Sequence, residues 1–166
     1  MKLNLNSYTC KNFVMCVGKI PANTRALKVG TTSPGERSQL VYVVSGDISY
    51  SANNNSATGV LAEGTLTNMF EYGQTNIYYT AGSKDAYYAS LNPLDLNTNF
   101  SAQILNTPTT QEVVSNNQNI IIVCLGGSII CNGATISAEK YARVPINTTA
   151  NLQVLPDSIA LIVTQQ

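Results

Sequence analysis

Apolar residues along this chain come in short runs rich in Val, Ile, Tyr and Thr, and clusters of Gly, Pro and Asn separate the runs. Such runs, without helical spacing, are typical of β-strands joined by tight turns. So many short strands predict an all-β sandwich or barrel. The predicted strands are residues 12–18, 25–29, 39–44, 47–51, 59–61, 67–70, 76–80 and 86–91, then 112–114, 119–125, 128–131, 134–136, 142–144, 151–155 and 159–164.

One turn can be named from the sequence. Asn132-Gly133 lies between the apolar runs 129–131 and 134–136. A two-residue type I′ turn needs positive φ at both central positions, which Asn and Gly tolerate best. The pattern therefore predicts a β-hairpin at this point.

The two halves of the chain repeat the same order of apolar runs and turns. Residues 40–48 align with 120–128, because each segment has an apolar run that leads to a glycine and then to a second strand. Residues 61–64 align in turn with 136–139, and both halves finish with two apolar runs. A repeat of this kind indicates two related structural units.

The repeat sets the predicted domain boundaries and one expectation about glycine. We predict a first half over residues 1–91, a linker over 92–110 and a second half over 111–166. The alignment places Gly46 opposite Gly126. If positive φ or close backbone approach requires glycine there, a β-branched residue at either position should cost stability.

At these residues the chain resembles the cupin superfamily of small β-barrels. Residues 39–48, a strand that ends in a glycine and turns back, are similar to the first cupin motif, and residues 152–161 are similar to the closing strands of a cupin barrel. The resemblance covers the chain from about residue 25 to its end. It implies an all-β, cupin-like jelly-roll barrel built from two cupin-like halves.

The departures from the cupin pattern concern the metal site. The resemblance implies two histidines and a glutamate ahead of the motif glycine, and a third histidine later. Here Gln39 stands at the glutamate position, Asn119 stands there in the second copy, and the histidine positions within 32–35 hold Thr, Ser, Pro and Gly. The chain contains no histidine, so the imidazole ligands of such a site are missing. We therefore predict no metal-ligating residue and no cofactor.

Composition narrows the range of partners. The chain is 44% hydrophobic and 11% charged with a net charge of zero, so it lacks the basic excess that binding to nucleic acid or an anionic membrane requires. Asn, Ser, Thr and Gln replace the charges, and a surface made of them resists self-association weakly. We therefore expect a homo-oligomer or a protein partner, no nucleic acid and no membrane.

The same composition suggests a location. No apolar run approaches the length of a membrane helix, and the first residues are too polar for a signal-peptide core. We expect a soluble cytoplasmic protein. Small Asn- and Thr-rich β chains without histidine also resemble phage or viral proteins in composition, which suggests association with a virion.

The sequence offers little catalytic chemistry. Without histidine, general acid–base catalysis would depend on carboxylates, lysines or tyrosines. No two carboxylates have a sequence spacing that makes them neighbours. Glu36 beside Arg37 fits a surface ion pair better than a catalytic group. The spacing of the cysteines matches neither a redox pair nor a zinc site, so each is interpreted as a small buried apolar residue. They are Cys10, Cys16, Cys124 and Cys131. We name no catalytic residue.

Tyrosines of the first half are the best candidates for ligand binding. A tyrosine ring supplies flat apolar area and its hydroxyl a polar group, which suits a sugar or a protein contact. The alternative is that adjacent tyrosines on a strand point to opposite faces, one towards the core and one at its rim. The candidate residues are Tyr42, Tyr78, Tyr79, Tyr87 and Tyr88.

Three functions remain open from the sequence. The first is a non-catalytic cupin-like protein with a structural, assembly or interaction role. The second is a module that binds a small polar ligand such as a sugar through tyrosine and asparagine side chains. The third is a metal-independent isomerase or lyase, which needs at least two converging carboxylate, lysine or tyrosine groups inside one barrel.

Overall fold

A computed structural model describes residues 6–9, 13–26, 40–52, 58–68, 77–93 and 100–165. Each predicted strand overlaps a strand of these residues, and the predicted positions 12, 27–29, 39, 69–70 and 76 lie outside them. The strands Asn6–Thr9 and Phe100–Leu105 were not predicted by the sequence pattern. No helix among these residues is long and apolar enough to cross a membrane. The described chain is all-β, and it divides into two compact units, Met1–Asn97 and Thr98–Gln166.

The first unit contains two antiparallel sheets. One has the strand order β1-β2-β9-β4-β7 and the other β3-β8-β5-β6. Apolar residues from both sheets, among them Ile20 and Val43 from one and Ile48 and Leu61 from the other, form one buried core. The strands are β1 (Asn6–Thr9), β2 (Phe13–Ile20), β3 (Arg25–Ala26), β4 (Leu40–Ser45), β5 (Ile48–Ala52), β6 (Thr58–Leu61), β7 (Leu66–Asn68), β8 (Ile77–Ala81) and β9 (Ala86–Pro93).

The second unit repeats this arrangement. Its sheets have the orders β10-β17-β12-β15 and β11-β16-β13-β14, which match those of the first unit strand for strand once β1 is left out. Two jelly-roll halves are therefore present, as the sequence repeat predicts. The strands are β10 (Phe100–Leu105), β11 (Thr109–Val114), β12 (Asn119–Gly126), β13 (Ser128–Cys131), β14 (Ala134–Ser137), β15 (Tyr141–Val144), β16 (Thr149–Val154) and β17 (Ile159–Gln165).

The segment 92–110, for which the sequence predicts a linker, contains secondary structure. β10 lies within it, and β11 begins at Thr109. β10 pairs along its whole length with the last strand, β17. β10 and β11 therefore belong to the second sheet pair, because each pairs with one of its strands.

Strand β16 shows how the side-chain pattern builds the core of the second half. Its odd-numbered residues are exposed and polar, whereas Ala150, Leu152 and Val154 are buried. Successive side chains of a strand point to opposite faces, so this alternation places one face in the core and the other in solvent. β12 has no such alternation, because Ile120 to Leu125 are all buried.

The structure corrects the register of the repeat by one residue. In β4, Val43 pairs with Tyr88, and a bulge makes Ser45 the next paired residue. In β12, Cys124 pairs with Ala160, and the same bulge makes Gly126 the next paired residue. Gly46 therefore corresponds to Gly127 and not to Gly126. The prediction was wrong because every residue in the apolar run of β12 is buried, so no alternation of polar and apolar residues indicates the alignment. A shift of one residue along a strand moves every side chain to the opposite face of the sheet.

The other aligned segments are equivalent in the structure. Gly64 and Glu139 both have positive φ, +78° and +68°. The N–H of Gly64 donates to the carbonyl oxygen of Val43 at 2.8 Å, and that of Glu139 donates to the carbonyl oxygen of Cys124 at 2.7 Å. This part of the sequence alignment is confirmed.

The predicted hairpin turn is also confirmed. Asn132 and Gly133 have φ of +49° and +79°, and Cys131 pairs with Ala134 across the turn. The N–H of Asn132 donates to the carbonyl oxygen of Asn151 at 2.9 Å, and the Asn132 Oδ1 accepts from the Asn151 N–H at 2.8 Å. Asn132 thus extends the ladder between β13 and β16 by one further residue.

Candidate functional site

Three tyrosines meet in the core of the first half, and we call them the tyrosine cluster. Tyr79 on β8 and Tyr88 on β9 are fully buried, and their rings pack edge to face with centroids 5.9 Å apart at 81°. Tyr50 on β5 is the cross-strand partner of Tyr79 and packs against the same core while partly exposed. Such edge-to-face pairs are a favourable aromatic geometry.

The Tyr79 hydroxyl is the chemically distinctive group of this cluster. It is buried, and no hydrogen-bond partner for it exists among the described residues. Burial raises the pKa of Tyr79 well above its usual range, and the neighbouring Tyr88 and Tyr50 raise it further. The phenol is therefore protonated and can donate a hydrogen bond.

Gly59 on β6 provides the space for Tyr50. A Cβ atom at Gly59 would lie 2.6 Å from the Tyr50 hydroxyl oxygen and 2.7 Å from its ring. Gly59 and Tyr50 are cross-strand partners, so the ring lies directly against the β6 backbone. Any larger residue at this position would push Tyr50 away from its place in the cluster.

The five tyrosines predicted as ligand-binding residues do not share one face. Tyr79 and Tyr88 come together in the core, but Tyr42 is buried on the other face of β4, because its neighbours Val41 and Val43 are the ones in the core. The ring of Tyr78 stacks with Arg25 outside the core, and Tyr87 is exposed. Ligand binding by these residues stays a prediction.

Tyr50 is the member of the cluster that the predicted set omits. Strand alternation could have found it, because Tyr50 follows the buried Ile48 by two residues on β5 and so shares its face. Adjacent tyrosines such as Tyr87 and Tyr88 necessarily point apart for the same reason. The sequence identified the right residue type, while the strand faces decide which tyrosines meet.

The equivalent positions in the second half hold no tyrosine. Cys131 pairs with Leu152 where Tyr50 pairs with Tyr79, and Ala160 stands opposite Cys124 where Tyr88 stands opposite Val43. These residues are all buried in the core of that half. The tyrosine cluster therefore distinguishes the core of the first half from that of the second.

Cys124 and Cys131 are structural residues of the second core. Both thiols are free and buried, and burial raises the pKa of each. A nucleophilic cysteine needs the opposite shift. The interpretation of these two cysteines as small buried apolar residues is confirmed, whereas Cys10 and the side chain of Cys16 lie outside what the structure describes.

One ion pair lies where β2 and β9 meet the surface. Lys19 Nζ is 2.7 Å from an Asp85 oxygen, and the other Asp85 oxygen accepts the Ala22 N–H at 2.9 Å. The hydrogen bond from Lys19 lowers the pKa of Asp85, and the same bond raises the pKa of Lys19. Lys19 also lies 5.7 Å from the Tyr87 ring centre. Asp85 links the turn before β9 to Lys19 and to the backbone of Ala22. Because both charged side chains are partly exposed, the pair places no charge in the core.

Solved structures with the same arrangement of strands are cupin-fold proteins. YhaK from Escherichia coli superposes with a TM-score of 0.71 over 96% of this chain and 92% of its own, at 8% identity. HutD from Pseudomonas fluorescens SBW25 gives 0.67 over 93% and 79%, at 9% identity, and an oxalate decarboxylase gives 0.63 over 93% and 68%, at 7% identity. The chain has the cupin fold. No protein-family model matches the sequence, and no curated protein is similar to it in sequence.

The cupin pattern of metal ligands can be followed only in part. Gln39, Glu36 and residues 32–35 lie outside the described residues, and Asn119, at the glutamate position of the second cupin half, is exposed at the start of β12. Within the described ranges no group of three Asp, Glu or Cys side chains is placed to hold a metal ion. The buried polar atoms of the tyrosine cluster are phenol hydroxyls.

Proposed function

We propose that this cupin-fold chain is non-catalytic and acts through its surface, as an assembly component that binds further copies of itself. Support comes from the packing of both cores. Tyr79 and Tyr88 occupy the interior of the first half, and Ile122, Ile129 and Leu152 occupy that of the second, all of them fully buried. Interior positions are thus used for packing, which leaves the outer surface as the place for interactions.

The observation that carries the proposal is a pair of exposed apolar residues at equivalent positions. Leu66 on β7 and Tyr141 on β15 each follow a positive-φ turn residue by two positions, and their side chains are 37% and 42% exposed. Their cross-strand partners Tyr42 and Val123 are buried. In each half an apolar row therefore runs across the sheet and ends in an exposed side chain.

A second copy of the chain is the partner that these edges suit. β7 and β15 are the last strands of their sheets within the described residues, and an edge strand is a template for pairing with another chain. With 11% charged residues and no net charge, two copies repel each other weakly. Tyrosine and arginine are also the residue types that contribute most to binding at protein interfaces, and Arg143 lies over the ring of Tyr141.

Solution mass measured by light scattering over a dilution series tests the proposal. We expect an oligomer in the wild type, and a lower mass when Leu66→Lys and Tyr141→Lys are combined, because both edges then carry charge. Gln153→Lys, at an exposed polar position of β16, adds the same charge elsewhere and should leave the mass unchanged. A monomeric wild type at every concentration would overturn the proposal, as would a double variant of unchanged mass.

A further inference from the structure

The outer surface of the sheet β3-β8-β5-β6 carries mainly hydroxyl side chains, and we call it the hydroxyl face. Tyr79 of β8 lies in the core, so its neighbour Thr80 lies on the opposite, outer side. Strands in a sheet are about 4.8 Å apart, so a row of four cross-strand partners is about 14 Å long. The hydroxyl face consists of one such row, Arg25, Thr80, Ser49 and Val60, and of the pair Tyr78 and Ser51 beside it.

Arg25 lies over the ring of Tyr78 at one end of this face. The guanidinium carbon is 4.2 Å from the ring centre, within the range of an attractive cation–π contact. The five N–H donors of a guanidinium lie in its plane, so contact with a ring through its flat side leaves them able to bind. No hydrogen-bond acceptor or carboxylate among the described residues meets these donors. Tyr78 therefore holds an arginine whose binding groups are unused in the protein itself.

The charge of this face is positive and uncompensated. Arg25 is its only charged side chain, and the nearby carboxylate of Asp85 is already paired with Lys19. A guanidinium binds a carboxylate through two parallel hydrogen bonds, which are among the strongest that proteins form. A carboxylate can therefore approach Arg25 without repulsion from the rest of the hydroxyl face.

The residues beside Arg25 determine what else the ligand carries. Ser49 is exposed and Thr80 is half-buried, and each hydroxyl can donate one hydrogen bond and accept others. Such groups pair well with the hydroxyls of a sugar ring, which both donate and accept. The ligand that suits this row thus has one carboxylate and several neighbouring hydroxyls.

We infer that the hydroxyl face binds a sugar acid, whose carboxylate is bound by Arg25 and whose hydroxyls pair with Thr80 and Ser49. Tyr78 is a positioning residue, because it acts by holding the guanidinium. The site is independent of the proposed self-association, since β7 and β15 belong to other sheets.

The second half shows that the fold does not require the arginine and the tyrosine. Thr110 of β11 stands at the position of Arg25. Asn151 of β16 stands at the position of Tyr78. The equivalent sheet forms without either residue, so the pair is a feature of the first half alone.

Glucuronate, glucose and acetate are matched probes for this site. Glucuronate and glucose share a ring and differ in the carboxylate, whereas acetate has the carboxylate without the ring. The amide signals of Ser49, Tyr78 and Thr80 are followed in ¹⁵N-labelled protein at constant ionic strength. We expect glucuronate to shift them in a saturable way and to bind at least about tenfold more tightly than glucose or acetate, because each of these lacks one set of contacts.

Two variants of Arg25 test its role. Arg25→Gln should weaken glucuronate binding about tenfold or more, and Arg25→Lys should weaken it less, because lysine keeps the charge but lacks the planar arrangement of donors. Lys140→Gln removes the same charge from an exposed position of the second half and should leave the titration unchanged. Unshifted amide signals elsewhere in each variant show that the fold is intact.

Three results would overturn the inference. The first is a set of amide signals that glucuronate does not shift, or shifts without saturation. The second is binding of glucose or acetate as tight as that of glucuronate, since the face then selects no sugar acid. The third is wild-type affinity in Arg25→Gln. None of these results depends on the solution mass, so the outcome is separable from the test of self-association.

Discussion

Gly46 and Gly127 hold the same place in the two halves. Each has positive φ, +78° and +67°, and a Cβ atom at either would lie 2.7 Å from a backbone carbonyl oxygen, that of Asp85 in one half and of Asp157 in the other. Each follows the bulge at the end of its strand and precedes the strand that crosses to the second sheet. Only glycine satisfies both the backbone conformation and the close contact.

Replacing Gly127 by alanine should therefore destabilise the protein by about 2 kcal/mol or more, from backbone strain and from the clash with Asp157 and Ser158. Gly126→Ala is the matched control, since its Cβ would meet only a side-chain atom at 4.0 Å. We expect that variant to remain within about 1 kcal/mol of the wild type. Urea unfolding measures both, and equal losses would contradict the corrected register.

Asn132 should contribute to stability through its side chain as well as its turn conformation. Asn132→Ala removes the acceptor of the Asn151 N–H and places alanine at positive φ, so we expect a loss of about 1 to 2 kcal/mol. Asn132→Asp keeps an acceptor oxygen and should lose less. Unfolding free energies that are the same for the two variants would show that this hydrogen bond contributes nothing.

Tyr79 should make the protein sensitive to alkali. Its pKa in the folded state is raised above the ordinary value of 10.0, chiefly by burial. A group whose pKa is higher in the folded than in the unfolded state makes its full contribution to stability at pH values below the unfolded pKa. That contribution is lost as the pH rises towards the folded pKa. The unfolding free energy should thus fall above about pH 10, by up to about 1.4 kcal/mol per pH unit from this residue.

Tyr79→Phe removes this titration and should flatten the decline above pH 10. Tyr87→Phe controls for the loss of a tyrosine hydroxyl at an exposed position. Chemical unfolding at a series of alkaline pH values distinguishes the variants. If Tyr79→Phe follows the wild-type curve, the phenol ionises in the folded protein as readily as in the unfolded one.

The sequence predicted the strands far better than it predicted their faces. β16 could be located because its polar and apolar residues alternate, and the turn at Asn132 because Asn-Gly needs positive φ. β10 was missed because Asn, Thr and Pro surround it in a polar stretch. The all-apolar run of β12 hid the register, so the wrong one of two adjacent glycines was matched.

The candidate site was predictable only as a residue type. Tyrosines are concentrated in the first half of the sequence, but Tyr78 and Tyr87 are not buried and Tyr42 is buried on the other face of β4. Tyr50, in contrast, packs against the core that holds Tyr79 and Tyr88. Which tyrosines meet depends on the pairing of β5 with β8 and of β4 with β9, and those contacts join residues far apart in the chain. Only with these strands in place is it visible that the Tyr79 hydroxyl has no hydrogen-bond partner among the described residues.

Hydrogen exchange of the backbone amides in β7 and β15 tests the proposed self-association most directly. Exchange is followed at a high and a low protein concentration, with β14, an edge strand of the other sheet in the second half, as the internal reference. We expect slower exchange at high concentration for Leu66–Asn68 and Tyr141–Val144 and no change for Ala134–Ser137. Exchange rates in β7 and β15 that are the same at both concentrations would contradict the account.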